Sequence, residues 1–121
     1  MHKNKAGLWG ETYAARYLRE HGCTILAANF ATRWGEVDII GTDADCVFFA
    51  EVKTRGENPL ATAAESVGLA KQKRICAAAA AFLQRRDVGL QPRFDVIEVY
   101  LDKEYKLLNI NRIVNAFEST F

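Results

Sequence analysis

Hydrophobic positions recur along this chain at two kinds of spacing. Repeats of three and four residues predict helices over residues 8–21 and 68–86, and a short helix over 111–117. Near alternation, or a continuous apolar run between turn residues, predicts strands. These strands are expected at residues 23–30, 35–40, 46–55, 93–101 and 105–110. A hairpin followed by a helical crossover predicts an α/β fold with a mixed central sheet that is flanked by helices on both faces.

The strand predicted at 46–55 has the most unusual pattern of charge. Residues 47–50 are apolar in succession, which is typical of a central strand that is covered on both faces. The strand nevertheless ends with Glu51 and Lys53, which share a face because they lie two residues apart, roughly 7 Å along a strand. Asp38, on the preceding strand, adds a second carboxylate. Charges at the end of so apolar a strand indicate a candidate functional site.

Length and composition limit the classes of protein that fit this sequence. At 121 residues the chain predicts one domain, 1–121, with an ordinary globular balance of apolar and charged residues. A formal net charge of +1 argues against a strongly basic nucleic-acid binder, so any such role must depend on a local patch. Three separated cysteines without a CxxC pair indicate a reduced protein. No signal peptide or membrane span is recognisable, which predicts a soluble, cytoplasmic protein.

Glu11 falls on the apolar face of the first predicted helix, in one stripe with Leu8, Ala15 and Leu18. It either reaches water from the edge of this stripe and supports the first turn electrostatically, or it belongs to a site. A buried carboxylate without a partner is costly, so a buried Glu11 requires a cation or a hydrogen-bond donor nearby.

The second helix begins with a run of cations, Lys71, Lys73 and Arg74. Cations near a helix N-terminus are mildly unfavourable, because the macrodipole is already positive there. The run is either a solvated face or a binding site for an anionic backbone. Residues 55–64 show no clear period and are interpreted as a loop beside the charged strand end, where substrate contacts are common.

Asp38 and Glu51 together offer hard oxygen ligands, and the carbonyl group of Val52 could add a third. Such ligands suit Mg²⁺ or Mn²⁺, ions that support phosphodiester hydrolysis by neutralising phosphate and activating water. Lys53 could then position the nucleophile or stabilise developing negative charge. The alternative is structural: Glu51 and Lys53 form an ion pair near a strand end, and Asp38 begins a turn.

The segments GEVDII and FFAEVKTR resemble the Asp…(Glu)-x-Lys core of the PD-(D/E)XK nuclease superfamily. More closely, the chain resembles the bacterial YraN-like family, which is similar to archaeal Holliday junction resolvases. The resemblance extends over nearly the whole sequence. It includes GLWGETYAARYLREHG, Asn29, the run KQKR at 71–74, RFDVIEV and the closing NAF. Ala50 and Gly68 depart from the pattern, where a larger β-branched residue and a Ser or Thr cap are usual.

This resemblance implies a restriction-endonuclease-like fold and a Mg²⁺- or Mn²⁺-dependent endonuclease that hydrolyses DNA, with branched DNA among its candidate substrates. The residues that it assigns to catalysis are Glu11, Asp38, Glu51 and Lys53, with Asp38 and Glu51 as metal ligands and Glu36 in support. The candidate phosphate contacts are Arg55, Lys71 and Arg74.

Two further expectations concern partners and alternatives. The resemblance implies a two-fold homodimer, for which the apolar residues Ile113, Val114 and Phe117 give weak support.

The alternative functions are a nucleic-acid-binding protein that uses the same cleft without cutting, and an interaction module in which the charged cleft is a relic.

Overall fold

The computed structural model describes residues 3–57 and 67–119. Two helices and five strands make up this part of the chain. The helices are α1 (Lys5–Glu20) and α2 (Leu69–Arg85). The strands are β1 (Thr24–Thr32), β2 (Gly35–Thr42), β3 (Cys46–Arg55), β4 (Gln91–Leu101) and β5 (Leu107–Phe117). Most of the loop predicted at 55–64 lies outside the described residues.

The five strands form one sheet in the order of the sequence, β1-β2-β3-β4-β5. All neighbours are antiparallel except β3 and β4, which run parallel and are joined through α2. A parallel pair requires such a crossover, because a tight turn can join only antiparallel strands. The predicted mixed sheet is therefore confirmed, and the architecture is α/β and consistent with a restriction-endonuclease-like fold.

Strand β3 lies at the centre of the sheet and separates two apolar cores. Phe48 packs on the α1 side with Leu18, whereas Phe49 packs on the α2 side with Phe82. Phe48 and Phe49 are both fully buried, as expected for a strand covered on both faces. Within the described part of the chain, neither helix is long and apolar enough to cross a lipid bilayer.

The helix predicted over 111–117 is wrong, because these residues form the second half of β5. Phe94 pairs with Phe117 and Val96 with Ile113, so β5 has two extra residues opposite this part of β4. Asn115, within this bulge, has a positive φ of 56°. The bulge replaces strict alternation with a spacing of four between apolar residues, which is why the sequence imitates a helix.

The strand conformation of residues 111–117 removes the support that this segment gave to a homodimer. Ile113 and Phe117 pack against the core on the α2 side of their own chain. Only Val114 among the three apolar residues is exposed. The homodimer stays a prediction, without the apolar C-terminal face that favoured it.

Two glycines allow close packing around the charged end of β3. An added Cβ on Gly10 of α1 would overlap the side chain of Thr54 on β3. An added Cβ on Gly35, at the start of β2, would overlap the backbone carbonyl group of Arg74 on α2. At Gly35 a side chain would force the two backbones apart, whereas at Gly10 it would displace the side chain of Thr54.

We expect Gly35→Ala to lower the free energy of unfolding by about 1–3 kcal/mol, because the methyl group overpacks against an α2 backbone that cannot rotate away. Gly56→Ala is the matched control, since a Cβ at Gly56 meets nothing within 4 Å. Urea unfolding of both variants measures the difference. Equal stability of the two variants would contradict the close packing of the start of β2 on α2.

Candidate active site

The candidate site begins where strands β2 and β3 separate. Their ladder of paired residues ends at Ile39 and Ala50, and the next residues toward the open end are Asp38 and Glu51. The backbone N–H group of Val52 donates to Asp38 Oδ2 at 2.8 Å. Asp38 and Glu51 are only 5% and 8% exposed, so two carboxylates are buried side by side at the opening between the strands.

Lys3 joins Asp38 to Glu11. Its ammonium group lies 2.7 Å from Asp38 Oδ1 and 2.5 Å from Glu11 Oε2. Burial lowers the pKa of Lys3, but Asp38 and Glu11 outweigh this effect, so the pKa is raised and the ammonium stays charged. The cation that a buried Glu11 requires is therefore Lys3. The sequence indicated only that such a cation must exist, because no pattern singles out a residue that precedes the helix.

The two carboxylates of the pair differ in their titration. Burial raises the pKa of Asp38, but hydrogen bonds with Glu51, Lys3 and the Val52 N–H group together lower it. Burial, followed by the adjacent Asp38 carboxylate, raises the pKa of Glu51 to about 7, against the opposing effect of Lys71. Asp38 is thus ionised near neutral pH, whereas Glu51 exchanges its proton there.

Two lysines lie beside Glu51. The Lys71 ammonium group of α2 is 3.1 Å from Glu51 Oε2, so this residue of the basic run contacts the site instead of forming a solvated face. Lys53 is half-buried on β3. Burial and the neighbouring Lys71 ammonium lower the pKa of Lys53, against the opposing charge of Glu51. The pair of lysines concentrates positive charge where a phosphate could approach Glu51.

The donor set fits a hydrated divalent ion better than a closed metal cage. Among the described residues, no three His, Cys, Asp or Glu side chains form a metal-binding group. Mg²⁺ is commonly held by one or two carboxylates and keeps several waters, so Asp38 and Glu51 suffice as protein ligands. The ammonium groups of Lys3 and Lys71 on these carboxylates show that the opening already attracts cations.

The sequence also predicted site roles for Arg55 and Glu36. Within the described part of the chain, neither residue forms an ion pair with Asp38 or Glu51, and each has different neighbours. Arg55 Nε is 3.7 Å from Glu98 Oε2, so its guanidinium faces a buried carboxylate. Glu98 is 3% exposed, and Asn111 Nδ2 donates to its Oε1 atom at 3.1 Å. Glu98 was not predicted from the sequence, because only the parallel register places it opposite Lys53. Glu36 lines a groove with Arg74, outside the cluster of Glu11, Lys3 and Asp38.

Glu51 should make the free energy of unfolding decrease as the pH rises toward neutrality. The unfolded carboxyl group loses its proton near pH 4.5, whereas the folded protein retains it until about pH 7. Between these values the folded state binds more protons, so rising pH favours unfolding. Glu51→Gln lacks this titrating group. Between about pH 5 and pH 7 the free energy of unfolding of the wild type should therefore fall by about 1–3 kcal/mol relative to that of Glu51→Gln.

Urea unfolding of both proteins at several pH values across this interval measures that loss. Glu20→Gln, at an exposed position of α1, is the control and should follow the wild type at each pH. If the wild type and Glu51→Gln changed in parallel, the proton on Glu51 would have no part in folding.

Comparison with known proteins identifies the family. The model of the uncharacterised protein family UPF0102 matches residues 10–99. A UPF0102 protein of Caldicellulosiruptor saccharolyticus is 38% identical over 118 residues, covering 97% of this chain and all of the relative. Another, of Alkaliphilus oremlandii, is 42% identical over 117 residues, covering 93% and 97%. The YraN-like resemblance is thereby confirmed, and the chain belongs to the UPF0102 family.

Proposed function

We propose that this protein is a metal-dependent endonuclease that hydrolyses phosphodiester bonds of DNA. The observation that carries the proposal is the buried Asp38–Glu51 pair in the opening between β2 and β3, with two lysines beside it. Burying two carboxylates together is costly, and a cation between them recovers that cost. The resemblance of GEVDII and FFAEVKTR to the PD-(D/E)XK superfamily core supports the same activity.

Asp38 and Glu51 would hold a Mg²⁺ or Mn²⁺ ion, which supplies Lewis-acid activation of water and neutralisation of phosphate charge. Asp38 is ready for this role because it is ionised and oriented by the Val52 N–H group. Glu51 must lose its proton first, so affinity for the ion should increase as the pH rises through about 7. Glu11 acts through Lys3, which fixes one oxygen of Asp38.

Lys53 and Lys71 would act on the phosphate side of the site. A protonated amine cannot bind a metal ion, so both lysines contribute through positive charge and hydrogen-bond donation. Lys53 is assigned to orienting the attacking water or stabilising the charge that develops in the transition state. Lys71 and Arg74, both on the first turns of α2, would contact the DNA backbone.

Replacement of Asp38 by Asn should weaken Mn²⁺ binding at least tenfold, because it replaces an ionised carboxylate ligand with a neutral amide. This loss outweighs the easier ionisation of Glu51 in the absence of the Asp38 charge. Isothermal titration calorimetry on the two proteins measures the change, with thermal melting to verify that the variant is folded. Asp45→Asn, in the exposed turn before β3, is the control and should bind as the wild type does. Equal affinity of Asp38→Asn and wild type would show that Asp38 does not bind the ion.

Lys53→Met should leave Mn²⁺ and DNA bound while the cleavage rate falls by about 10²–10³-fold, the usual cost of losing one preorganised electrostatic group. Single-turnover cleavage of linear, flapped and four-way DNA in Mg²⁺ and in Mn²⁺ gives the rate. Lys73→Met is the control, since Lys73 is an exposed residue of the same basic run. Wild-type cleavage by a folded Lys53→Met variant would refute the catalytic role.

A nucleic-acid-binding protein that does not cut is the second candidate. It is favoured by the ammonium groups of Lys3 and Lys71, which already neutralise the carboxylates without a metal ion. Under this alternative the wild type cleaves none of the three substrates, with either ion. It still binds them, with an affinity that falls steeply as salt is raised, because phosphate contacts release counterions.

A further inference from the structure

A groove of about 450 Å³ lies between the β1–β2 hairpin and the start of α2. We call it the hairpin groove, and its lining includes Arg33, Trp34, Gly35, Glu36, Lys71 and Arg74. Its volume is within the range of small-ligand sites, although it is open along one side. The proposed chemistry at Asp38 and Glu51 does not by itself explain this groove.

The charge of the hairpin groove suits an anion. Arg33, Lys71 and Arg74 contribute three positive charges, and Glu36 contributes one negative charge. Because the whole chain has a formal net charge of only +1, this lining is a local concentration of positive charge. Such a patch on a nearly neutral protein indicates a specific anionic ligand more than general attraction to polyanions.

Trp34 has an exposed side chain on a backbone that is held by hydrogen bonds. Its side chain is 59% exposed, the second highest exposure among the large apolar residues of the described chain. Thr32 Oγ1 accepts from the backbone N–H groups of Trp34 and Gly35 at 3.1 and 3.2 Å, and donates to the Gly35 carbonyl group. Gly35 in turn lies against the Arg74 backbone. The hairpin therefore presents the indole ring from a fixed platform.

An exposed indole ring on a hydrogen-bonded turn suits stacking against a flat ligand. The Arg33 guanidinium carbon lies 5.2 Å from the centre of the indole ring, so a cation–π contact orients the ring. Proteins that bind single-stranded nucleic acid combine these same two features, an aromatic ring for each base and cations for the backbone. A base inside a duplex has no free face, so only an unpaired base could stack here.

Lys71 connects the hairpin groove to the candidate active site. Its side chain lines the groove, while its ammonium group lies 3.1 Å from Glu51 Oε2. A nucleotide in the groove would therefore have its phosphate within reach of the residue that faces the carboxylate pair. One lysine side chain therefore borders both the groove and the site.

We propose that the hairpin groove binds one unpaired nucleotide next to the Asp38–Glu51 pair, with its base stacked on Trp34 and its phosphate contacted by Lys71 and Arg74. This inference rests on the proposed nuclease function for its choice of ligand and specifies the substrate class. The preferred DNA contains a single-stranded segment or a branch, and fully paired linear DNA is the poorer ligand.

The fluorescence of Trp34 tests the proposal directly. Trp9→Phe leaves Trp34 as the only tryptophan, since the sequence has two. In EDTA, where no metal-dependent cleavage occurs, a flapped oligonucleotide should quench this fluorescence strongly and a blunt duplex of equal length only weakly. Trp34→Ala should weaken binding of the flapped DNA by roughly 5- to 150-fold, the measured worth of one stacked base, and leave duplex binding unchanged.

Two variants control for indirect effects. Trp34→Phe retains a flat ring and should recover most of the affinity for flapped DNA. Trp9→Ala removes the other exposed tryptophan, which stacks on Tyr13 on α1, and should bind both substrates as the wild type does. Loss of affinity for flapped and duplex DNA alike in Trp34→Ala would overturn the proposal.

The outcomes also separate this inference from the proposed nuclease function. Selective quenching by flapped DNA without any cleavage in Mg²⁺ or Mn²⁺ would support the groove and refute the nuclease. Cleavage of flapped and duplex DNA at equal rates, with unchanged Trp34 fluorescence, would support the nuclease and refute the groove.

Discussion

The hydrogen bond from the Val52 N–H group to Asp38 Oδ2 is the interaction on which the candidate site depends. It takes the place of a ladder bond between β2 and β3, so the strands separate immediately after Ile39 and Ala50. The Asp38 side chain satisfies the Val52 N–H group, which is therefore paired beyond the end of the β2–β3 ladder.

Both helices contribute charged side chains to this opening between β2 and β3. Glu11 comes from α1, which Gly10 allows to lie close to β3, and Lys71 comes from α2. The ammonium groups of Lys3 and Lys71 contact three carboxylates that are mostly buried. Burial and the adjacent Asp38 carboxylate raise the pKa of Glu51 to about 7, so a cation added near neutral pH would compete with the proton on Glu51.

Asp95 on β4, another buried carboxylate of this sheet, has the contacts expected of a structural acid. Asp95 is fully buried and accepts from the guanidinium groups of Arg93 and Arg112 and from the Asn115 N–H group, at 2.9–3.1 Å. A guanidinium group donates through several N–H groups in a fixed planar arrangement, so it holds a carboxylate in one geometry, and it stays charged. Asp38 instead faces a lysine, a flexible point charge that a hydrated ion could replace. This contrast favours a chemical role for Asp38 and an architectural role for Asp95.

The sequence by itself determined those features that depend on local periodicity. The two long helices, the central strand β3 and the common face of Glu51 and Lys53 follow from spacings of three, four and two residues. Only the tertiary structure decided that residues 111–117 extend β5, that Lys3 joins Glu11 to Asp38, and that Arg55 faces Glu98. Each of these depends on a partner that is distant along the chain, and the energy of a long-range contact leaves no trace in the spacing of neighbouring residues.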